Sequence, residues 1–326
     1  MFSLAPPALV AAALPGQPRA AETAFPFDIG HFFGVQIWQL TPLSVLAVIC
    51  LALYLWGAIA LWRRGKRWGV ATTISFVLGC VVWFLATGAA VTRFADELVS
   101  VLLFQQLTLM VVAPPLLLIG SPGRLLLTAV PRTGLGRPVL RMALAGYRSP
   151  VSRVLLHPAV AIIVPLLAFP ALYFSDAISW VLAQPGGHGL LLGSFLLLGI
   201  IAGAPLWSRD PLPRTPSYVV RLAEVFIEIQ IHAIFGLILL LSTGPRFSWY
   251  WEDPEAWGIS RGFDHAIGGG LVWSYGELPL LIVLIVILSK WRNRDLRTAR
   301  HREAEEDAAL EQYNAYLAAQ GRVDER

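Results

Sequence analysis

The sequence predicts an all-α fold, a polytopic membrane helical bundle of about seven transmembrane helices with its N-terminus outside and its C-terminus in the cytoplasm. Three observations predict it. Hydrophobic residues make up 56% of the 326 and charged residues only 14%, against roughly a quarter charged in a soluble domain. Uncharged runs recur that reach the ~20 apolar residues a spanning helix needs. Basic residues gather in alternate loops, the positive-inside asymmetry that orients a bundle.

Taken in order, residues 1–37 read as an exported leader. Its stretch "SLAPPALVAAALPG" has the apolar character of a signal sequence but is interrupted by prolines, and no basic residue precedes it. The bundle occupies 38–291, with spans predicted at 40–62, 69–92, 99–120, 157–174, 188–207, 220–243 and 264–289. The fourth and fifth are the shortest. Arg63, Arg64, Lys66 and Arg67 follow the first span, and the run from Arg124 to Arg153 follows the third. Arg209, Arg214 and Arg221 lie after the fifth, and a basic stretch from Lys290 follows the seventh. The opposite loops hold only Arg19, Arg93, Arg246 and Arg261, so the net charge of +4 reports topology and not a nucleic-acid surface.

Two loops and the tail carry their own patterns. The stretch 121–156, "SPGRLLLTAVPRTGLGRPVLRMALAGYRSPVSRVLL", alternates arginines with Leu and Val clusters, which predicts short amphipathic helices at the inner headgroup layer of the lipid bilayer. The loop 245–263 packs Trp249, Tyr250, Trp251 and Trp257, an interfacial aromatic belt or a docking surface for a partner. The tail 292–326 mixes both charge signs and reads as a solvated cytoplasmic helix. Cys50 and Cys80 fall inside the first two spans with no metal-binding spacing, as small buried hydrophobes do.

Polar groups at membrane depth are functional candidates, because each one is costly unless satisfied. Gln105 and Gln106 are adjacent and point about 100° apart on a helix, so at least one faces the bundle interior. Glu224, Glu228 and His232 are spaced four and four, which sets them on one helical face. They form either a packing stripe or a path for protons or metal. His31, His188, Asp264 and His265 all fall near the outer ends of spans, with ligand types suited to copper or zinc or to an interfacial polar layer. Glu277 lies deeper, in "YGELP", and an ionised carboxylate there must pair or take up a proton. His157, beside Pro158, is placed to cap or anchor the fourth span.

Several phrases then fall into a familiar order. "LMVVAPPLLLIGSP", "LHPAV", "SRDPLPR", "IHAIFG" and "DHAIGGGLVW" resemble the CtaG family of cytochrome c oxidase assembly factors over about residues 95–292. The resemblance implies a multi-pass protein of the bacterial plasma membrane that serves oxidase assembly, assisting copper-site maturation or docking an oxidase subunit. Cytochrome c oxidase subunits are the partners it implies, and copper is the cofactor. Ahead of "APPLL" the family usually carries two histidines with a glutamine between them; the corresponding positions here are Leu102, Gln105 and Gln106, so both histidines are absent, and the span that usually holds further histidines keeps only His188. His265 stands where the family commonly has glutamine. The surviving candidate metal ligands are His188, His232 and His265.

A competing expectation is a transporter of copper ions or protons built on Glu224, Glu228, His232 and Glu277. Against a Cu(I) path, Met1, Met110 and Met142 are the only methionines. An enzyme is not expected. No HExxH or nucleophile elbow occurs, and Lys66 and Lys290 lie at helix ends where neither could carry a retinal Schiff base.

Overall fold

The computed structural model describes residues 40–88, 90–134, 136–157, 171–208, 210, 217–242, 247 and 260–324, together with Gly34, Ala159, Val160 and Ile163. The expected leader apart from Gly34, His31, Trp249, Tyr250, Trp251, Trp257 and most of the fourth expected span lie outside the described residues. Among the described residues every regular element is helical. The helices are α1 (Pro42–Arg63), α2 (Val70–Gly88), α3 (Val91–Glu97) and α4 (Val99–Leu107), then a π-helical turn (Thr108–Val112). There follow α5 (Ala113–Ile119), α6 (Pro122–Ala129), α7 (Gly136–Arg148), α8 (Pro150–Leu155), α9 (Ala177–Leu182), α10 (Gly187–Trp207), α11 (Tyr218–Leu240) and α12 (Arg261–Asp324).

Among the described residues six stretches are long and apolar enough to cross a membrane: Pro42–Arg63, Val70–Gly88, Val99–Ala129, Gly187–Trp207, Tyr218–Leu240 and one within α12. In the third, 72% of the most apolar window is buried, against 28% to 44% in the other five, so α4 to α6 form the central column. The rim helix α1 instead leaves Val48, Leu53 and Trp56 about half or more exposed, a face that only lipid covers favourably.

Local chemistry sets the ends. Thr41 caps α1 by accepting from Ser44 N (3.2 Å), Pro42 supplies a preset φ at the first position, and the Thr41 hydroxyl donates to Thr87 O (2.8 Å). That last bond pins the start of α1 to the end of α2. At the other end of the bundle, the Tyr54 hydroxyl donates to Gly120 O (2.8 Å) and its ring stacks on Phe76 at 3.9 Å. Ser121 then turns the chain through left-handed backbone (φ 51°) into α6. Both exposed amides at the start of α6, Gly123 N and Arg124 N, donate to Asp210 from the loop after α10 (3.0 and 2.7 Å). Burial raises the Asp210 carboxyl above its ordinary range, against the pull of those two amides and of Arg124.

The third span bends. Pro114 and Pro115 have no N–H, so the carbonyls of Met110 and Val111, four residues earlier, lose their helical donors. The ladder widens into the π turn, where Ala113 N bonds Thr108 O. Helix α10 presses on this turn through Gly199, whose absent Cβ would lie 2.2 Å from Met110 O. Helices α11 and α12 approach as closely, since a Cβ on Gly269 would lie 2.6 Å from Gly236 O. The charged tail continues α12 without a break through 291–292 and is exposed over its described side chains.

Candidate functional site

Two polar groups stand inside the bundle. The first lies at the end where α1, α10 and α12 begin. Leu98 adopts extended backbone (φ −120°, ψ 121°), which breaks α3 from α4 and leaves the first amides of α4 without helical partners. Asp264, reaching over from α12, fills that gap. Its carboxylate accepts from Val99 N (2.8 Å), Ser100 N (3.2 Å) and the Ser100 hydroxyl (2.5 Å). A negative charge at a helix N-terminus is favourable both by dipole and by hydrogen bonding, and this one is 1% exposed. Asp264 is therefore an anionic cap supplied in trans.

Gln105 and Gln106 are both buried. The Gln105 amide nitrogen donates to Ala86 O (2.7 Å) and lies 3.3 Å from the Thr92 hydroxyl. Because Ala86 O can only accept, the amide is assigned with its oxygen facing His188 Nε2 (3.0 Å). On the other side of the ring, His188 Nδ1 meets the Asp96 carboxylate at 2.9 Å. Both ring nitrogens thus have a polar partner on another helix. The neighbouring Gln106 accepts through its oxygen from the Tyr173 hydroxyl. His265 donates from Nδ1 to Arg261 O (2.8 Å), and its ring packs 5.0 Å from Phe247.

The second group lies deeper. Glu224, Glu228 and His232 are all buried on α11, as the four-and-four spacing requires of one face. His232 donates from Nδ1 to Glu228 O (2.9 Å), and its ring fits against Gly276, where a Cβ would stand 3.0 Å from Cδ2. Glu228 and His232 line a cavity of about 30 Å³ with Met110, Val111, Gly199 and Pro279. A cavity of that size, beside the carbonyls that the two prolines strip of donors, meets the requirements of an ordered water. Glu224 is fully buried, and among the described residues neither of its carboxylate oxygens has a hydrogen-bond partner. The Arg221 Nε one turn earlier is also without one among the described residues. Glu277 is half-buried and does not line the cavity. His157 accepts at Nδ1 from Ala159 N (3.2 Å), a local cap.

A copper site needs imidazole lone pairs aimed at one point. His188 has both nitrogens engaged by Asp96 and Gln105, while His232 and His265 each bond a backbone carbonyl through Nδ1, the arrangement that leaves Nε2 as the ligand atom. Among the described residues no group of three His, Cys, Asp or Glu stands close enough to hold a metal ion. Sequence reasoning found the glutamines, His188 and Asp264 but missed Asp96, Tyr173 and Asp210, the partners that fix them and the α6 turn. Only Asp210 had a signal, its position in "SRDPLPR" ahead of a helix start.

The spanning helices, with polar side chains tied to one another between them, define a multi-pass α-helical membrane protein. The chain belongs to the cytochrome c oxidase caa3 assembly factor family, Caa3_CtaG, whose model matches residues 52–294. It is 30% identical over 298 residues to the uncharacterized protein Mb0105 of Mycobacterium bovis, covering 89% of this chain and 45% of that one. The uncharacterized protein ML1998 of Mycobacterium leprae is 29% identical over 303 residues, covering 91% and 46%. The chain thus spans a little under half the length of these curated relatives. No solved structure matches it.

Proposed function

We propose that the chain assists cytochrome c oxidase assembly in the bacterial plasma membrane by docking an oxidase subunit, without turnover and without a resident copper ion. The observation that carries this reading is the saturation of His188 by Asp96 and Gln105, which turns the strongest candidate ligand into a strut between α3, α4 and α10. Family membership supplies the oxidase; the engaged ring nitrogens favour docking over metal transfer.

The proposed topology has seven crossings. The third span ends beside the end of α1, where Arg64 bonds Ala129 O (3.0 Å), whereas α10 begins at the opposite end beside Asp96. A fourth crossing between α8 and α10 completes the proposed seven. With the basic loops inside, the His188 end faces outward.

The test is a deletion strain complemented with wild type or with His188→Asn/His265→Asn. Asparagine keeps polar hydrogen-bonding capacity but is a poor copper ligand. Docking predicts that oxidase activity, a-type haem absorbance and oxidase copper all return with the double variant. Restored haem with copper-deficient oxidase would overturn the reading in favour of copper handling.

A second reading, proton transport, is favoured by one observation, the shared cavity of Glu228 and His232. It requires that Glu228→Gln abolish a pH-gradient-driven flux in proteoliposomes. A wild-type flux indistinguishable from empty vesicles removes it.

A further inference from the structure

At the end of the bundle away from His188, α1, the turn that follows it, α6 and the turn after α6 enclose an open cavity of about 490 Å³. Its lining carries five cations, Arg64, Lys66, Arg67, Arg124 and Arg132, and no acidic residue. We propose that this cavity binds the phosphate-bearing headgroup of an acidic phospholipid.

Three features support a bound anion. The five cations come from two chain segments, 64–67 and 124–132, so the concentration of charge is made by the fold and is not one run of sequence. Among the described residues none of them forms an ion pair. Asp210, which meets the start of α6, spends its two oxygens on the amides of Gly123 and Arg124. Arg64 is steadied by its bond to Ala129 O (3.0 Å), which holds one wall of the cavity in place.

Three further features make the anion a lipid. The floor is apolar, formed by Leu61, Leu127, Val130 and Pro131, which suits a glycerol backbone and the first acyl carbons. Trp68 also lines the cavity, and its carbonyl accepts from the indole of Trp62 (3.1 Å), which itself is 40% exposed. Tryptophans sit at headgroup level. Val70 and Leu126, flanking the lining in sequence, leave their apolar side chains exposed, as residues beside acyl chains do. Basic pockets between helices at a membrane interface are the setting in which acidic headgroups bind. The site does not depend on the oxidase reading, because it rests on a different end of the molecule.

The experiment is native mass spectrometry of the full chain in micelles doped with equal phosphatidylglycerol and phosphatidylcholine. Wild type is expected to retain phosphatidylglycerol selectively, and Arg67→Gln/Arg124→Gln to weaken that retention about 30-fold. A charge-matched control, Arg297→Gln/Arg300→Gln on the exposed tail, is expected to match wild type. Equal loss in both variants would overturn the proposal, since retention would then follow net charge. Displacement of the lipid by millimolar inorganic phosphate would also overturn it, by making the ligand a soluble phosphate.

Discussion

The two polar groups of this bundle differ in one respect. At the His188 end, the hydrogen-bonding atoms of His188, Gln105 and Asp264 find partners on other helices, leaving Gln106 Nε2 and His265 Nε2 without one among the described residues, whereas on the deeper face of α11 neither oxygen of the Glu224 carboxylate finds any. The first arrangement is architecture, since removing any member leaves a buried partner unsatisfied. The second leaves a polar group whose burial is a standing cost, the usual mark of a residue kept for something other than stability. Buried polar residues of similar type therefore play opposite energetic roles in one bundle.

The largest expected effect comes from breaking the satisfied side. Asp264→Ala orphans two backbone amides and the Ser100 hydroxyl, and should destabilise the protein by about 3 to 5 kcal/mol, read as unfolding of the purified chain in denaturant. Next, Gly199→Ala forces α10 away from Met110 O and should cost about 1 to 3 kcal/mol, with the cavity widened. His188→Ala should cost about 1 to 2 kcal/mol, mostly through the unsatisfied Gln105 oxygen. Asp96, at 64% exposure, contributes less, and Asp96→Asn should cost below about 1 kcal/mol in the same assay. The smallest change sharpens the contrast by its sign. Glu224→Gln should leave stability unchanged or raise it, whereas the matching Asp264→Asn lowers it.

Much of this was legible in the sequence, for particular reasons. Span positions followed from uncharged length, and the predicted starts at 69, 99 and 188 fall within a residue of α2, α4 and α10. The four-and-four spacing put Glu224, Glu228 and His232 on one face because helical period alone decides that. What could not be read were contacts between distant segments. Asp264 caps a helix 165 residues earlier, and His188 meets Asp96 across 92 residues. Nothing in either neighbourhood encodes the partner. The π turn was half legible, because Pro114 and Pro115 announce lost donors, but straightening, kinking and widening are all answers to that loss. Only the pressure of α10 through Gly199 places the distortion at Thr108–Val112.

The most direct test of the claim that the His188 end is structural and not metal-binding is copper content after equilibrium dialysis. Purified wild type and His188→Asn/His265→Asn would be dialysed side by side against Cu(I) and Cu(II) buffered at low free concentration. Saturation of His188 predicts that the two proteins retain the same copper, well below one ion per chain. One ion per chain in the wild type, lost in the double variant, would contradict it.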